Sequence, residues 1–177
     1  MMQRRTVLLR GPLDDALATE VAARLMTLDA TGDEGVLLHL GSSDGTLGAA
    51  FTVMDTIEAL GVPVTAICTG AADGPALGVL AVAHHRWVAP HSRLRLSEPG
   101  IEAHGSLADL NSQLEQHRIL VQRFVSRVAA AAKQPAERVE VDLLERRSFD
   151  PIEAVSYGLA DAIGTGPESQ VAPQAGT

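Results

Sequence analysis

Apolar positions follow two rhythms along this chain: short unbroken runs, and longer stretches whose apolar residues return with the period of an α-helix. Residues 7–9 form a run closed by Gly11-Pro12, which predicts a strand and a turn. Leu17, Val21, Leu25 and Leu28 then fall close to helical spacing, and one of Asp14 and Asp15 ahead of them caps that helix. Residues 35–40 read as a buried strand, 41–45 as a turn and 47–60 as an Ala-rich helix. Residues 62–68 are the next strand, 86–89 another after the His84-His85 bend, and 94–96 a short one. Strands alternating with helices of this length predict a parallel sheet with right-handed crossovers, a layered α/β architecture.

The longest amphipathic stretch is 107–133, apolar at Leu110, Leu114, Val121, Phe124, Val125 and Val128. It is longer than one sheet face requires in a chain of 177 residues, so its overhang is read either as a subunit contact or as plain surface. Asp150, Pro151 and Glu153 have the spacing of a capping box with proline in the first turn, and the helix they start ends at Tyr157-Gly158. Beyond Gly164 the composition turns to Gly, Pro, Ser and Gln. Residues 1–164 are therefore read as one domain and 165–177 as a disordered tail.

A net charge of −8 argues against a phosphate-binding surface, so no nucleic-acid partner is expected. No apolar stretch approaches the roughly 18 residues that cross a bilayer, and residues 1–5 lack an apolar signal region; no membrane partner and a cytoplasmic location are expected. The one cysteine, Cys68, lies inside a strand run and reads as a buried thiol. His84, His85 and His91 lie close in sequence, but a zinc site needs three or four converging ligands, so no metal is expected. No phosphate loop of the Gly-x-x-x-x-Gly-Lys type occurs. Gly70, Gly74 and Gly78 are read as helix packing, and no cofactor is expected.

Chemistry concentrates in residues 64–83, an apolar strand, a Gly/Ala turn and a helix of small residues. Such an elbow exposes one side chain at a helix N-terminus, where backbone N–H groups and the helix dipole can stabilise an oxyanion. Here the tip reads Asp73, Gly74, Pro75: an elbow without its nucleophile. Asp73 has the place of a helix cap and Asp44 that of a turn residue. The alternative is that the two carboxylates face one another across the cleft as acid and base.

From about Arg5 to Ile163 the chain resembles the Clp protease proteolytic subunit (ClpP) family of serine peptidases. The matching features are residues 7–14, Val53, Asp55 and Thr56, residues 65–70, Pro90-His91-Ser92-Arg93, the loop 99–109, Gln134-Pro135, and Glu153-Ala154 with Tyr157-Gly158-Leu159. The resemblance implies a ClpP/crotonase-like layered fold with residues 100–133 as a protruding handle, through which two heptameric rings meet. It also implies Ser-His-Asp acyl transfer. The family's Gly-Met-Ala-Ala-Ser-Met-Gly places the nucleophile at Gly74, its His-Gln-Pro places the base at Ser97, and counting from both sides places the orienting acid at Arg146. None of these can fill its role: glycine has no nucleophile, a hydroxyl holds no proton near pH 7, and a cation opposes an imidazolium. The oxyanion positions fall at Gly45, beside Asp44, and at Pro75, which has no N–H. Losing one such donor typically costs about 2.7–4 kcal/mol.

The resemblance thus implies a degenerate, non-catalytic member that assembles as a homo-oligomer, or as a hetero-oligomer with active ClpP paralogues, and modulates proteolysis. The family's axial loop and first helix, which meet an AAA+ unfoldase, precede the strand matching Val7. Few residues stand there in this chain, so an unfoldase is expected to be reached through a paralogue. The alternative is an enzyme of another kind on the same fold, either a hydrolase using Asp44 and Asp73 or an acyl-CoA binder. No basic pocket for the phosphates of CoA is evident.

Overall fold

The alternation of runs and helical stretches folds into a parallel sheet in the computed structural model, which describes residues 5–167. In chain order the elements are β1 (Thr6–Arg10), α1 (Asp15–Ala30), β2 (Val36–Ser42), α2 (Leu47–Ala59), β3 (Val64–Asp73), α3 (Pro75–Val82) and β4 (His85–Val88). They continue with β5 (Arg93–Arg95), α4 (Leu107–Ala132), α5 (Ala136–Leu144), β6 (Ser148–Phe149), α6 (Pro151–Tyr157) and β7 (Ala162–Ile163). The strand order is β1-β2-β3-β4-β7, with each of these pairs parallel. β3 changes partner along its length: residues 65–68 pair with β4, and residues 71–73 pair with β5. β5 in turn carries β6, antiparallel, on its far edge.

Strand alternation places Val7, Leu9, Leu38, Leu40, Ala66 and Cys68 in one core with Val53, Ile57, Leu77 and Leu80 of the helices, while Leu8 points the other way. Asp14 is the acid that caps α1, its carboxylate accepting the Leu17 N–H at 2.8 Å. At α6, Asp150 accepts the Glu153 N–H at 2.8 Å and Glu153 accepts the Asp150 N–H at 2.9 Å, so the capping box forms in both directions. Of the three glycines spaced by four, only Gly78 lies in a helix. A Cβ there would come within 2.8 Å of Met54 Sδ and of Phe124, so its lack of a side chain lets α2 and α4 close on α3. Gly70 lies in β3, and Gly74 forms the elbow itself.

The handle helix α4 has 26 residues, and its buried positions lie in its C-terminal part: Phe124, Val125, Val128, Ala129 and Ala132. Beyond it, Asp142 of α5 accepts the Tyr157 hydroxyl at 2.6 Å and Arg147 at 3.3 Å, while the Arg147 guanidinium stacks 4.8 Å from the Phe149 ring centre. Burial, and then the bond to Asp142, raises the Tyr157 pKa. This network ties α5, β6 and α6 together behind the edge of β5.

Of the expected tail, residues 165–167 are among the described residues: Gly166 is buried, and a Cβ there would lie 3.0 Å from Ile67 Cδ1. The rest of that tail lies outside the described residues. The His84 ring accepts the Val64 N–H at 3.1 Å through Nδ1, binding the bend before β4 to the start of β3.

Cys68 is fully buried, and burial, with the Asp73 carboxylate adding to it, pushes its thiol up to about 12. A thiol-disulfide exchange reagent at pH 8 is therefore expected to leave the folded chain unmodified and to modify one thiol per chain in denaturant.

Candidate functional site

The turn at the end of β3 is built on Gly74, whose φ of 55° and ψ of −119° form a left-handed elbow that L side chains rarely adopt. The strand still holds it: Gly74 N–H donates to the Arg95 carbonyl at 3.0 Å, and the helix starts at once, Leu77 N–H donating to the Gly74 carbonyl at 3.0 Å. Asp73 is therefore the last residue of β3 and does not cap α3. Gly74 occupies the cap position, with no side-chain bond to the helix. Pro75 opens the helix at a position where a missing N–H costs no intrahelical bond.

Ser97 faces this elbow. It is buried, and a Cβ on Gly74 would stand 3.2 Å from both its carbonyl oxygen and its Oγ. Arg146 lies in the turn between α5 and β6: Arg95 pairs with Ser148, Leu96 N–H donates to the Arg147 carbonyl at 2.9 Å, and Arg146 N–H donates back to the Leu143 carbonyl at 3.1 Å. Arg146 is exposed and has a φ of 55°. Of the three positions assigned by motif counting, Gly74 and Ser97 thus meet at the elbow, and Arg146 stands one residue before the segment bonded to β5.

The two carboxylates of the alternative reading go separate ways. Asp44 is exposed and turns its carboxylate onto the N–H of its own neighbour, Gly45, at 2.8 Å. That N–H, at one of the two positions expected for an oxyanion donor, is satisfied by this carboxylate. Ser42 fixes the loop, its hydroxyl donating to the Asp44 carbonyl at 2.9 Å, and Leu13 N–H donates to the same carbonyl at 2.9 Å. Asp73 is only 2% exposed and accepts from Arg93 at 2.9 Å and Arg95 at 3.0 Å, both on Oδ2. Its Oδ1 is buried without a partner. An acid–base pair across the cleft is not formed: Asp44 lines the cleft, whereas Asp73 is buried at the β3–β5 seam under two guanidinium groups.

The family model for Clp protease matches residues 1–167. The ATP-dependent Clp protease proteolytic subunit 4 of Rhodococcus jostii is 30% identical over 166 residues, covering 92% of this chain and 86% of that protein. The chain belongs to the Clp protease family. The ATP-dependent Clp protease proteolytic subunit-related protein 2, chloroplastic, of Arabidopsis thaliana is 28% identical over 92% of this chain, which spans 60% of that longer protein. The structure of a point mutant of ClpP1 from Listeria monocytogenes shares the fold, with a TM-score of 0.83 at 21% identity, over 93% of this chain and 94% of that one.

In this Clp protease family chain a cleft of about 670 Å³ opens between the loop 44–48 and residues 99–102, with Leu13, His117 and Leu120 among its lining. Sequence reasoning missed two features beside it. Arg93 and Arg95 alternate on β5, so both point at Asp73; the two-residue spacing was visible, but their partner was assigned to a helix cap. His117 of α4 donates from Nε2 to Glu98 at 3.1 Å, a pairing over 19 residues that no local pattern announces. Among the described residues no cluster of His, Cys, Asp and Glu could hold a metal ion, and no helix is long and apolar enough to cross a membrane.

Gly74→Ala tests the elbow. A methyl at this φ, pressed to 3.2 Å from Ser97, is expected to destabilise the chain by about 1–2 kcal/mol. Thermal unfolding should show a Tm lowered by roughly 2–8 °C at this chain length.

Proposed function

We propose that this chain is a non-catalytic Clp protease subunit that joins oligomeric rings, of its own kind or with active paralogues, and modulates their proteolysis. The observation that carries the reading is Gly74: the elbow keeps its backbone form and presents no side chain. The surrounding positions agree. Ser97 offers a hydroxyl where a base is needed, Arg146 offers a cation where an imidazolium must be stabilised, and Pro75 has no N–H to give. The Gly45 N–H is occupied by Asp44, so an incoming carbonyl would meet a carboxylate.

Assembly is supported by α4, whose outer half exposes Leu107 at 75% and Leu114 at 52%, more apolar surface than a lone helix in water favours. In the proposed ring the chain contributes wall and interface without a cutting site, and an AAA+ unfoldase is engaged through a paralogue. A cytoplasmic site of action belongs to the same proposal.

A fluorophosphonate probe at high concentration is expected to leave the chain unlabelled, and Gly74→Ser alone is expected to remain unlabelled because no base faces the new hydroxyl; stoichiometric labelling of the wild-type chain near residue 74 would overturn the reading. Native mass spectrometry of the chain mixed with an active ClpP from the same source, run beside a peptidase assay, is expected to show mixed rings with altered turnover. A chain that stays monomeric, or never mixes and leaves turnover unchanged, would refute the modulatory role.

A further inference from the structure

α4 is one helix with two environments. Leu107, Leu110, Leu114, His117, Val121, Phe124 and Val128 fall on a seam with alternating steps of three and four. Phe124 and Val128 sit in the core, Val121 is partly buried, and Leu107 and Leu114 are exposed. His117 sits where the seam leaves the body of the fold. Its side chain is 16% exposed, and it donates to Glu98, which is 40% exposed and lies just past the end of β5. Farther out, Gln113 exchanges bonds with the backbone of His104, the His104 carbonyl accepting at 2.8 Å.

The same histidine stands between two hollows. It lines the cleft of about 670 Å³ beside Gly45 and Pro99, and it lines a groove of about 550 Å³ between α4 and α5 that includes Leu114, Leu143 and Leu144. Glu98 lines the groove. His117 is therefore shared by the two cavities, and its bond to Glu98 fastens the outer half of α4 to the segment after β5.

We propose that Glu98 and His117 form a latch. Closed, it fixes the direction of residues 107–116 relative to β5 and separates cleft from groove. Opened, it joins the two cavities and releases that half of the helix. His117 is thus a positioning residue for the apolar surface that α4 presents. Only this last consequence, for a docking partner, rests on the assembly reading above; the latch itself is a property of the chain.

The test is hydrogen exchange on the full-length chain and on Glu98→Ala, His117→Ala, the double variant and Glu98→Gln, which keeps the side chain's shape. Each single substitution is expected to speed exchange of residues 107–117 by about three- to fivefold, the range for losing one partly exposed side-chain hydrogen bond, with residues 124–132 unchanged. The double variant should exchange no faster than the faster single, because the second substitution removes a contact already lost. Wild-type exchange in the single variants, or effects that add in the double variant, would overturn the latch. Should an alanine variant also accelerate residues 124–132, Glu98→Gln decides by the same criterion. Native mass measured on the same samples reports assembly separately, so a chain that never assembles refutes the ring reading and leaves the exchange result standing.

Discussion

Parallel pairing of β3 with β2 on one edge, and with β4 and then β5 on the other, constrains where the chain can turn. A strand that exchanges one neighbour for another must bend between them, and the register of β2 on β3 shifts between Leu40 and Ser42 in the same region. The second half of β3 is thereby tilted toward β5, and its last residues arrive at the helix layer with only one residue left to reverse direction. That residue must take a positive φ. Glycine does so without strain.

The frame of the elbow is thus set by the backbone and not by the side chains it carries. The frame is made of backbone hydrogen bonds and register, which do not depend on whether Gly74, Ser97 and Arg146 bear reactive groups. Charge has been rearranged around that frame. Asp73 enters the β3–β5 seam and is balanced by Arg93 and Arg95, two cations whose long side chains still reach solvent. Asp44 folds back onto its own loop.

The long helix links the core to the outside of the molecule. Its inner half is fixed by core packing through Phe124 and Val128, where a shift would open voids, and its outer half by a few polar contacts that cost far less to break. Any partner that docks on Leu107 and Leu114 consequently meets a surface whose direction is set next to the cleft.

Several features were legible in the residues themselves because they are local. The Asp14 cap, the capping box at Asp150 and Glu153, the strand runs and the period of α4 each involve neighbours within a few positions, where steric preference and hydrogen-bond reach decide the outcome. The resemblance to the Clp protease family extended this reading to the order of elements and to the positions of Gly74, Ser97 and Arg146. What the residues alone did not settle was everything that depends on distant partners. Asp73 looked like a cap until β5 supplied two arginines across the sheet, and Glu98 found His117 on another element. By itself the sequence determined which backbone conformations each segment prefers and which side chains are missing from the elbow; only the tertiary structure decided which charges meet, because electrostatic pairing follows distance in space, and the sheet register sets that distance.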